Sequence, residues 1–398
     1  MTQMTIEEAT ALISKLERLA DNPPSDVIAD NAVRRRLREA AKNFSIALEM
    51  PGDTVHRIGN AAMQSSLARV GTDVKLFEIL SESTQAMSSG DLAERTGMAP
   101  SVMKRLLRYY QSMRMVSQTG DDEFAANNVS RALTPPNGIG IKYIMEILNP
   151  VFDATPEYLR SHNYNEITNP VDTPFQAGHK ITEHPFVWFP NNPEKLELFL
   201  QWMAHNRDGL PSWLDTYPFD QEISGTTDET VVFVDVGSAR GHMSIELRER
   251  FPKLPGRIII QDLEHIISTV TPPHGIEPMT YDFNNPQPVH GARAYYLRMI
   301  LHDYPDEKCR DILKNTISAM SEDSVILIDE IVLPEVGAIW RATQMDMTMM
   351  TALAGKERSE KEWFALLESV DLHVVKVWKY TEESEDCIIV AKPKKFLM

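Results

Sequence analysis

The sequence predicts an α/β protein: a parallel sheet with helices on both faces and an antiparallel C-terminal edge hairpin, preceded by an all-helical and winged-helix region. Three observations carry this reading. From Thr230 onward, short apolar runs alternate with helical patterns, as parallel strands joined by crossover helices require. The last two runs, LHVVKVWKY and DCIIVAKP, follow each other closely, as the two arms of a hairpin do. Before residue 226 the apolar residues instead recur at helical spacing, broken by Pro and Gly.

In chain order, Ile6, Ala9, Leu12, Ile13, Leu16 and Leu19 mark a first helix, ended by Asn22-Pro23-Pro24-Ser25. A second runs from Val33 to Leu48 and stops at Pro51-Gly52. Ala61 to Leu80 is one apolar helical run. DLAERTGMAPSVMKRLLRYYQSMRMV then reads as helix, turn at Gly97, helix, and MVSQTGDDEFAANN as a hairpin turning at Gly120-Asp121. Helix-turn-helix plus hairpin is a winged-helix pattern. Residues 140–225 are helical with aromatic and Pro interruptions. The α/β part contains the strands VVFVDVG, RIIIQDL, ARAYYLRMIL and SVILIDEIVL, with a helix after each. The expected domains are a helical and winged-helix region over 1–135, a helical connector over 136–225, and an α/β domain over 226–398.

The chain has 398 residues, more than one compact core usually holds, which fits several domains. Its formal net charge is -17, and a surface this acidic repels phosphate backbones, so no nucleic-acid partner is expected. The run Arg34–Arg38 reads as a solvated helix face. The two cysteines, Cys309 and Cys387, form neither a CxxC pair nor a disulfide framework and read as structural thiols of a reducing compartment. No basic start precedes an apolar core, and no apolar run reaches about 18 residues, so neither a signal peptide nor a membrane span is expected. These features describe a cytoplasmic protein.

VVFVDVGSARGH carries the clearest signal. An apolar strand runs into Asp235, and the turn Gly237-Ser238-Ala239-Arg240-Gly241 opens a helix. Glycines there let the backbone approach a ligand, and open α/β sheets bind ligands at the carboxyl ends of their strands. The motif is not GxGxxG, and an ordinary strand-to-helix turn looks much the same. Asp262 ends the next strand, near where such sheets place a ribose-binding acid, about 20 residues beyond the glycines. It would serve equally well as a helix N-cap.

The ordered set VDVGSARGH, QDLEHI, YDFNNPQP, LRMILHDYPDEKC, DEIVLP and AGKERSEKEW resembles that of the plant caffeate-type and fungal secondary-metabolite O-methyltransferases, a class I S-adenosylmethionine-dependent family. The resemblance spans most of residues 60–398. It implies a Rossmann-like methyltransferase sheet behind a dimerisation domain, with S-adenosyl-L-methionine as cofactor and no metal. Carried over by position, Asp235, Gly237, Ser238 and Gly241 line the methionine part of the cofactor. Asp262 holds the ribose hydroxyls beside Leu263, and Asp282 and Phe283 flank the adenine. Arg298 stands where the family usually has Lys, and Ala239 replaces the middle glycine.

His302 follows the third strand at its carboxyl end, where chemistry occurs in this architecture. A phenol, with a pKa near 10, is little ionised at neutral pH, and a histidine is suited to take its proton. Alone, a His in an LHD triplet is usually structural. The resemblance places Glu330 and Glu357 beside it, where a carboxylate fixes the tautomer and stabilises the imidazolium. Each glutamate also has an ordinary reading, as a strand-end contact and as a helix-start acid. The resemblance further implies an acceptor pocket containing Met203, Met299 and Asp303, with Trp188 and Phe189 as further candidates. Most of the methionines in Met345–Met350 read as helix core, and His162 as an exposed loop residue. The expected acceptor is a flat aromatic, polyketide or alkaloid.

Two other readings compete. Some fungal relatives of this type bind the cofactor without transferring its methyl group and catalyse dehydrations or pericyclic reactions; the family resemblance implies that these tend to lose the base at the His302 position, which is present here. The winged helix, with Lys104, Arg105, Arg108 and Arg114, invites a DNA-binding regulator, but the acidic charge and the apolar Leu106, Leu107, Tyr109 and Tyr110 of the same helix argue against it. The resemblance implies instead that this region forms a homodimer, to which the earlier helices would add.

Overall fold

The computed structural model describes residues 5–396, which divide into two units, 5–65 and 66–396. The first contains the helices Ile6–Asp21, Ser25–Ala29, Asn31–Ala47 and Pro51–Gly59. A reciprocal cap starts the first: Glu8 N–H donates to Thr5 Oγ1 at 3.2 Å, and Thr5 N–H donates to Glu8 Oε2 at 2.7 Å. No residue of these four helices is buried within the chain.

The second unit opens with the winged helix. Lys75, at φ 57°, breaks the expected single run over 61–80 into helices Ala61–Asp73 and Leu76–Glu82. Helices Ser89–Thr96 and Pro100–Ser112 flank Gly97, which ends the first in the left-handed region. Strands β1 (Ser117–Gly120) and β2 (Glu123–Ala125) form the antiparallel wing. Phe77, Leu92, Met103, Leu107, Tyr110 and Phe124 are buried together, so much of the second helix's apolar face serves as core.

The sheet that carries the site comprises β3 (Val231–Val236), β4 (Arg257–Asp262), β5 (Ile276–Thr280), β6 (Ala294–Arg298), β7 (Val325–Leu333), β9 (Leu372–Lys379) and β10 (Asp386–Pro393), in the order β5-β4-β3-β6-β7-β10-β9. The short β8 (Arg358–Ser359) adds to the end of β7. The first five strands of that order are parallel; β10 pairs antiparallel with both β7 and β9. This is the expected Rossmann-like sheet with its C-terminal hairpin at one edge. Val234, Tyr295, Leu297, Ile326 and Ile389 form part of the core on one side. Phe233, Ile258, Tyr296, Leu327 and Ile388 form part of the core on the other, packed on Trp213 of the connector. Residues on alternating positions of one strand thus serve both layers, as a doubly covered sheet requires.

One strand and the place of one residue differ from expectation. β5 escapes a periodicity reading because it is short and contains Pro278; an edge strand tolerates a residue without an N–H. β7 runs to Leu333, as the run SVILIDEIVL predicts, and β10 pairs with it as far as Ile331. Glu330 is therefore inside the strand rather than at its end.

Candidate active site

β6 stops at Arg298, although the apolar run continues to Leu301. The reason is Glu330. Its Oε1 accepts N–H bonds from Ile300 (3.0 Å) and Leu301 (2.8 Å), with the His302 N–H at 3.4 Å. Donors that would extend the ladder are taken by a side chain of the neighbouring strand. Met299 turns to φ 49°, and Leu301–Asp303 forms a single tight helical turn. That turn carries His302, only 5% exposed.

A second segment, 355–358, closes on the turn from the other side. Lys356 N–H donates to the His302 carbonyl at 3.0 Å. A Cβ on Gly355 would stand 2.1 Å from that carbonyl oxygen, so no side chain fits there. His302 Nδ1 lies 2.7 Å from Glu357 Oε1 and 3.8 Å from Glu330 Oε2. Nε2 is left facing Asp303 Oδ1 at 3.4 Å. The backbone of Glu357 is itself held by Asp346, whose Oδ1 accepts its N–H at 3.0 Å. Glu330 and Glu357 are both buried.

The electrostatics follow from this crowding. Burial pulls the His302 pKa down, but the carboxylates of Glu330, Glu357 and Asp303 more than reverse that and raise it. Burial raises Glu330, with His302 opposing the shift. Asp303 is pushed up to about 6 by burial, again opposed by His302. Burial and then the Asp303 charge raise the phenol of Tyr143, which stacks on Trp202 with ring centroids 6.1 Å apart. In the neutral ring, with Nδ1–H donated to Glu357, Nε2 carries the lone pair and is the atom that can accept a proton. One imidazole and two carboxylates are also a donor set that metals use. Nδ1 and Oε1 at 2.7 Å, however, stand closer than two ligands on one ion at bond lengths of about 2.0–2.2 Å would; the spacing is that of a shared proton.

At the carboxyl end of β3, Gly237 (φ 72°), Ala239 (φ 48°) and Gly241 (φ 74°) take left-handed conformations, which turn the chain sharply into helix His242–Arg250. Asp262 ties the turn down. Its Oδ2 accepts the Ala239 N–H at 2.8 Å and its Oδ1 the Leu263 N–H at 2.7 Å. Asp235 is buried, accepts the Ser244 hydroxyl at 2.8 Å and is pushed up to about 7, mainly by burial. Ser238 Oγ is buried without a hydrogen-bond partner among the described residues, and Leu263 is 40% exposed. An unfilled hydroxyl in the glycine turn and an open apolar side chain beyond the strand-end acid fit a nucleoside-type cofactor. Asp282 accepts the Asn284 N–H at 2.9 Å, and Phe283 meets the edge of Tyr304. Arg298 turns to Met243 and to Asp329, 3.3 Å away, whose carboxylate also takes the hydroxyls of Tyr296 (2.5 Å) and Tyr380 (2.6 Å).

The structure thus brings His302, Asp303, Glu330 and Glu357 together, and groups Asp235, Gly237, Ser238, Gly241, Asp262 and Leu263 around one turn. Met299 lies between β6 and the Leu301–Asp303 turn, and Met203 is exposed on helix Pro193–His205. Trp188 and Phe189 pack with Phe175, in the same core as Met349. Sequence reasoning missed Tyr143, Asp346 and Arg358. Arg358 had one available signal, its place directly after Glu357.

Comparison with known proteins extends these observations. Residues 57–136 match an O-methyltransferase dimerisation domain, and residues 226–371 an O-methyltransferase domain. The chain is 35% identical over 382 residues to the O-methyltransferase lepI of Aspergillus flavus, covering 94% of this chain and 97% of that one. It is 34% identical over 368 residues to the demethylsterigmatocystin 6-O-methyltransferase of Aspergillus parasiticus, covering 92% and 95%. Two solved structures, one described as a pericyclic reaction enzyme and one as LepI in complex with SAM, each superpose with a TM-score of 0.89 at 34% identity, over 98% of this chain and 100% of theirs.

Proposed function

This chain belongs to the S-adenosylmethionine-dependent O-methyltransferases of the fungal secondary-metabolite family, and we propose that it methylates a hydroxyl, phenolic in character, of a small secondary metabolite. Bound at the β3 turn, S-adenosyl-L-methionine supplies an electrophilic methyl group on a positively charged sulfur. Gly237, Ser238 and Gly241 would hold its methionine part, Asp262 the ribose, and Leu263, Asp282 and Phe283 the adenine. Asp235 and Arg298 support the turn from beneath. The chain's own chemistry centres on His302. As the acceptor oxygen gains the methyl group, its proton passes to Nε2, while Glu357 holds Nδ1–H and stabilises the imidazolium. The carboxylates of Glu330, Glu357 and Asp303 raise the proton affinity of His302 and so stabilise the imidazolium formed when it takes the acceptor's proton.

The observation that carries the reading is the 2.7 Å contact of His302 Nδ1 with Glu357. Met203, Met299, Asp303, Trp188 and Phe189 are proposed to shape the acceptor side, on the 136–225 connector and the catalytic turn. The protein acts as a homodimer: it carries the family's dimerisation domain, and the apolar Ile13, Leu37, Phe44 and Ile58 of its first helices are exposed within one chain. Its free, buried cysteines fit the cytoplasm. Among the described residues no helix is long and apolar enough to cross a membrane, and neither membrane nor nucleic acid is part of the proposal.

Likeness to a pericyclic reaction enzyme motivates a second reading, in which the methyl group stays in place and the cofactor acts through its charge. One assay separates the two. The protein is incubated with methyl-labelled cofactor and an extract of phenolic metabolites, beside His302→Ala. Label in an organic-soluble product, lost in the variant, supports methyl transfer. Cofactor-dependent change in the extract without label would overturn it.

A further inference from the structure

The main chain of the catalytic turn is held almost entirely by side chains and by segment 355–358, rather than by a strand or a helix. Glu330 takes the N–H groups of 300–302, and Lys356 N–H takes the carbonyl of His302. The carbonyls of Leu301 and Tyr304 each accept from the Cys309 thiol, at 3.1 and 3.4 Å, and from a guanidinium. Arg358 donates from Nη1 to Leu301 O at 3.0 Å and from Nη2 to Tyr304 O at 3.0 Å. Its Nε and Nη2 also grip Asp306 Oδ1 at 3.0 and 2.8 Å, at the start of helix Asp306–Ile317. The guanidinium lies 5.1 Å from the Trp363 ring centroid, and the residue is 0% exposed.

We propose that Arg358 is a positioning residue of the reaction: its guanidinium fixes the carbonyls of Leu301 and Tyr304, and so sets where His302 Nε2 points. Burying this charge is costly, and its ion-pair partner Asp306 is partly exposed. An apolar side chain could fill the same space more cheaply. The fork's shape supplies what an apolar group cannot, two parallel donors to two carbonyls that bracket His302 and Asp303. A lysine carries the charge but not the planar fork. Glu357 and Arg358 are adjacent, so one short segment orients both the ring of His302 and the backbone beneath it. Displacement of a catalytic group by about 1 Å can cost on the order of 100-fold in rate.

This inference rests on His302 acting as the base, so the test has an arm independent of activity. Full-length Arg358→Met and Arg358→Lys are compared with wild type and with Glu357→Gln. The first readout is the downfield proton of His302 Nδ1 by NMR, identified by its upfield shift in Glu357→Gln. The second is binding of S-adenosylhomocysteine, and the third is labelled methyl transfer. The expected result for Arg358→Met is a lost or displaced Nδ1 proton, near-normal S-adenosylhomocysteine binding, and kcat lower by about 100-fold with acceptor KM little changed. Arg358→Lys should fall between the two, and it carries the test if the methionine variant does not fold. An unmoved Nδ1 proton, or a loss of rate matched by an equal loss of S-adenosylhomocysteine affinity, overturns the inference. If wild type transfers no methyl group, it is the function that fails, and the Nδ1 proton still decides the role of Arg358.

Discussion

His302 and Glu357 are 55 residues apart in sequence, and Nδ1 of one stands 2.7 Å from Oε1 of the other in a site closed to solvent. The pair fixes which nitrogen is free. Glu357→Gln keeps the shape but removes the negative charge that strengthens the Nδ1–H bond and stabilises the imidazolium. Methyl transfer should fall by a factor on the order of 10²–10⁴, with S-adenosylhomocysteine binding unchanged by calorimetry. A rate within about threefold of wild type would remove Glu357 from the mechanism.

The pH–rate profile should carry the signature of the carboxylates. His302 must be neutral to accept a proton, and Glu330, Glu357 and Asp303 hold its pKa up against burial. The acidic limb of kcat should therefore lie above the range of an ordinary histidine, whose pKa is near 6.5. Glu330→Gln removes one of the raising charges, so the limb should move to lower pH, by about one unit. A limb that stays in place, or moves to higher pH, would contradict the electrostatic account.

Ala239 holds φ at 48°, a conformation that costs a residue with a Cβ about 1–2 kcal/mol. Ala239→Gly should relieve this and tighten S-adenosylhomocysteine binding by up to about tenfold. Gly237→Ala should act in the opposite direction. Its new Cβ would stand 2.5 Å from Ile300 Cδ1, in a left-handed residue just ahead of the catalytic turn. Titration calorimetry of both variants checks the pair, and equal affinities would argue against the turn as the cofactor cradle.

Asp235 links burial to stability. Its folded-state pKa is pushed up to about 7, while an unfolded aspartate titrates near 3.9. Between those values the folded protein binds the extra proton, so this group's contribution falls as pH rises through the window. Asp235→Asn should flatten urea-derived stability across about pH 4–7, by at most about 1.4 kcal/mol per pH unit. The same slope in both proteins would place the proton elsewhere.

Much of this molecule was legible in its sequence, because strands and helices write themselves as local periodicity. The order of elements in the α/β domain, the wing and the terminal hairpin all came from that pattern. β5 did not: with Pro278 in five residues it has no period to read. The motifs located the glycine turn and His302. They could not separate Asp262 as a helix cap from Asp262 as the residue that ties β4 to the glycine turn.

By itself the sequence determined the fold class, the family and the candidates proposed for the reaction, all carried by short stretches of neighbouring positions. The tertiary structure decided how those residues work. Glu330 reads as a strand-end acid, yet it is an interior strand residue that ends β6 by taking its N–H groups. Arg358 reads as one charge in a polar motif, yet it is buried against Leu301, 57 positions away. Such roles depend on sheet register, which sets β6 beside β7 and brings segment 355–358 over the turn. Register is fixed by the packing of the whole sheet and leaves no local mark in the chain.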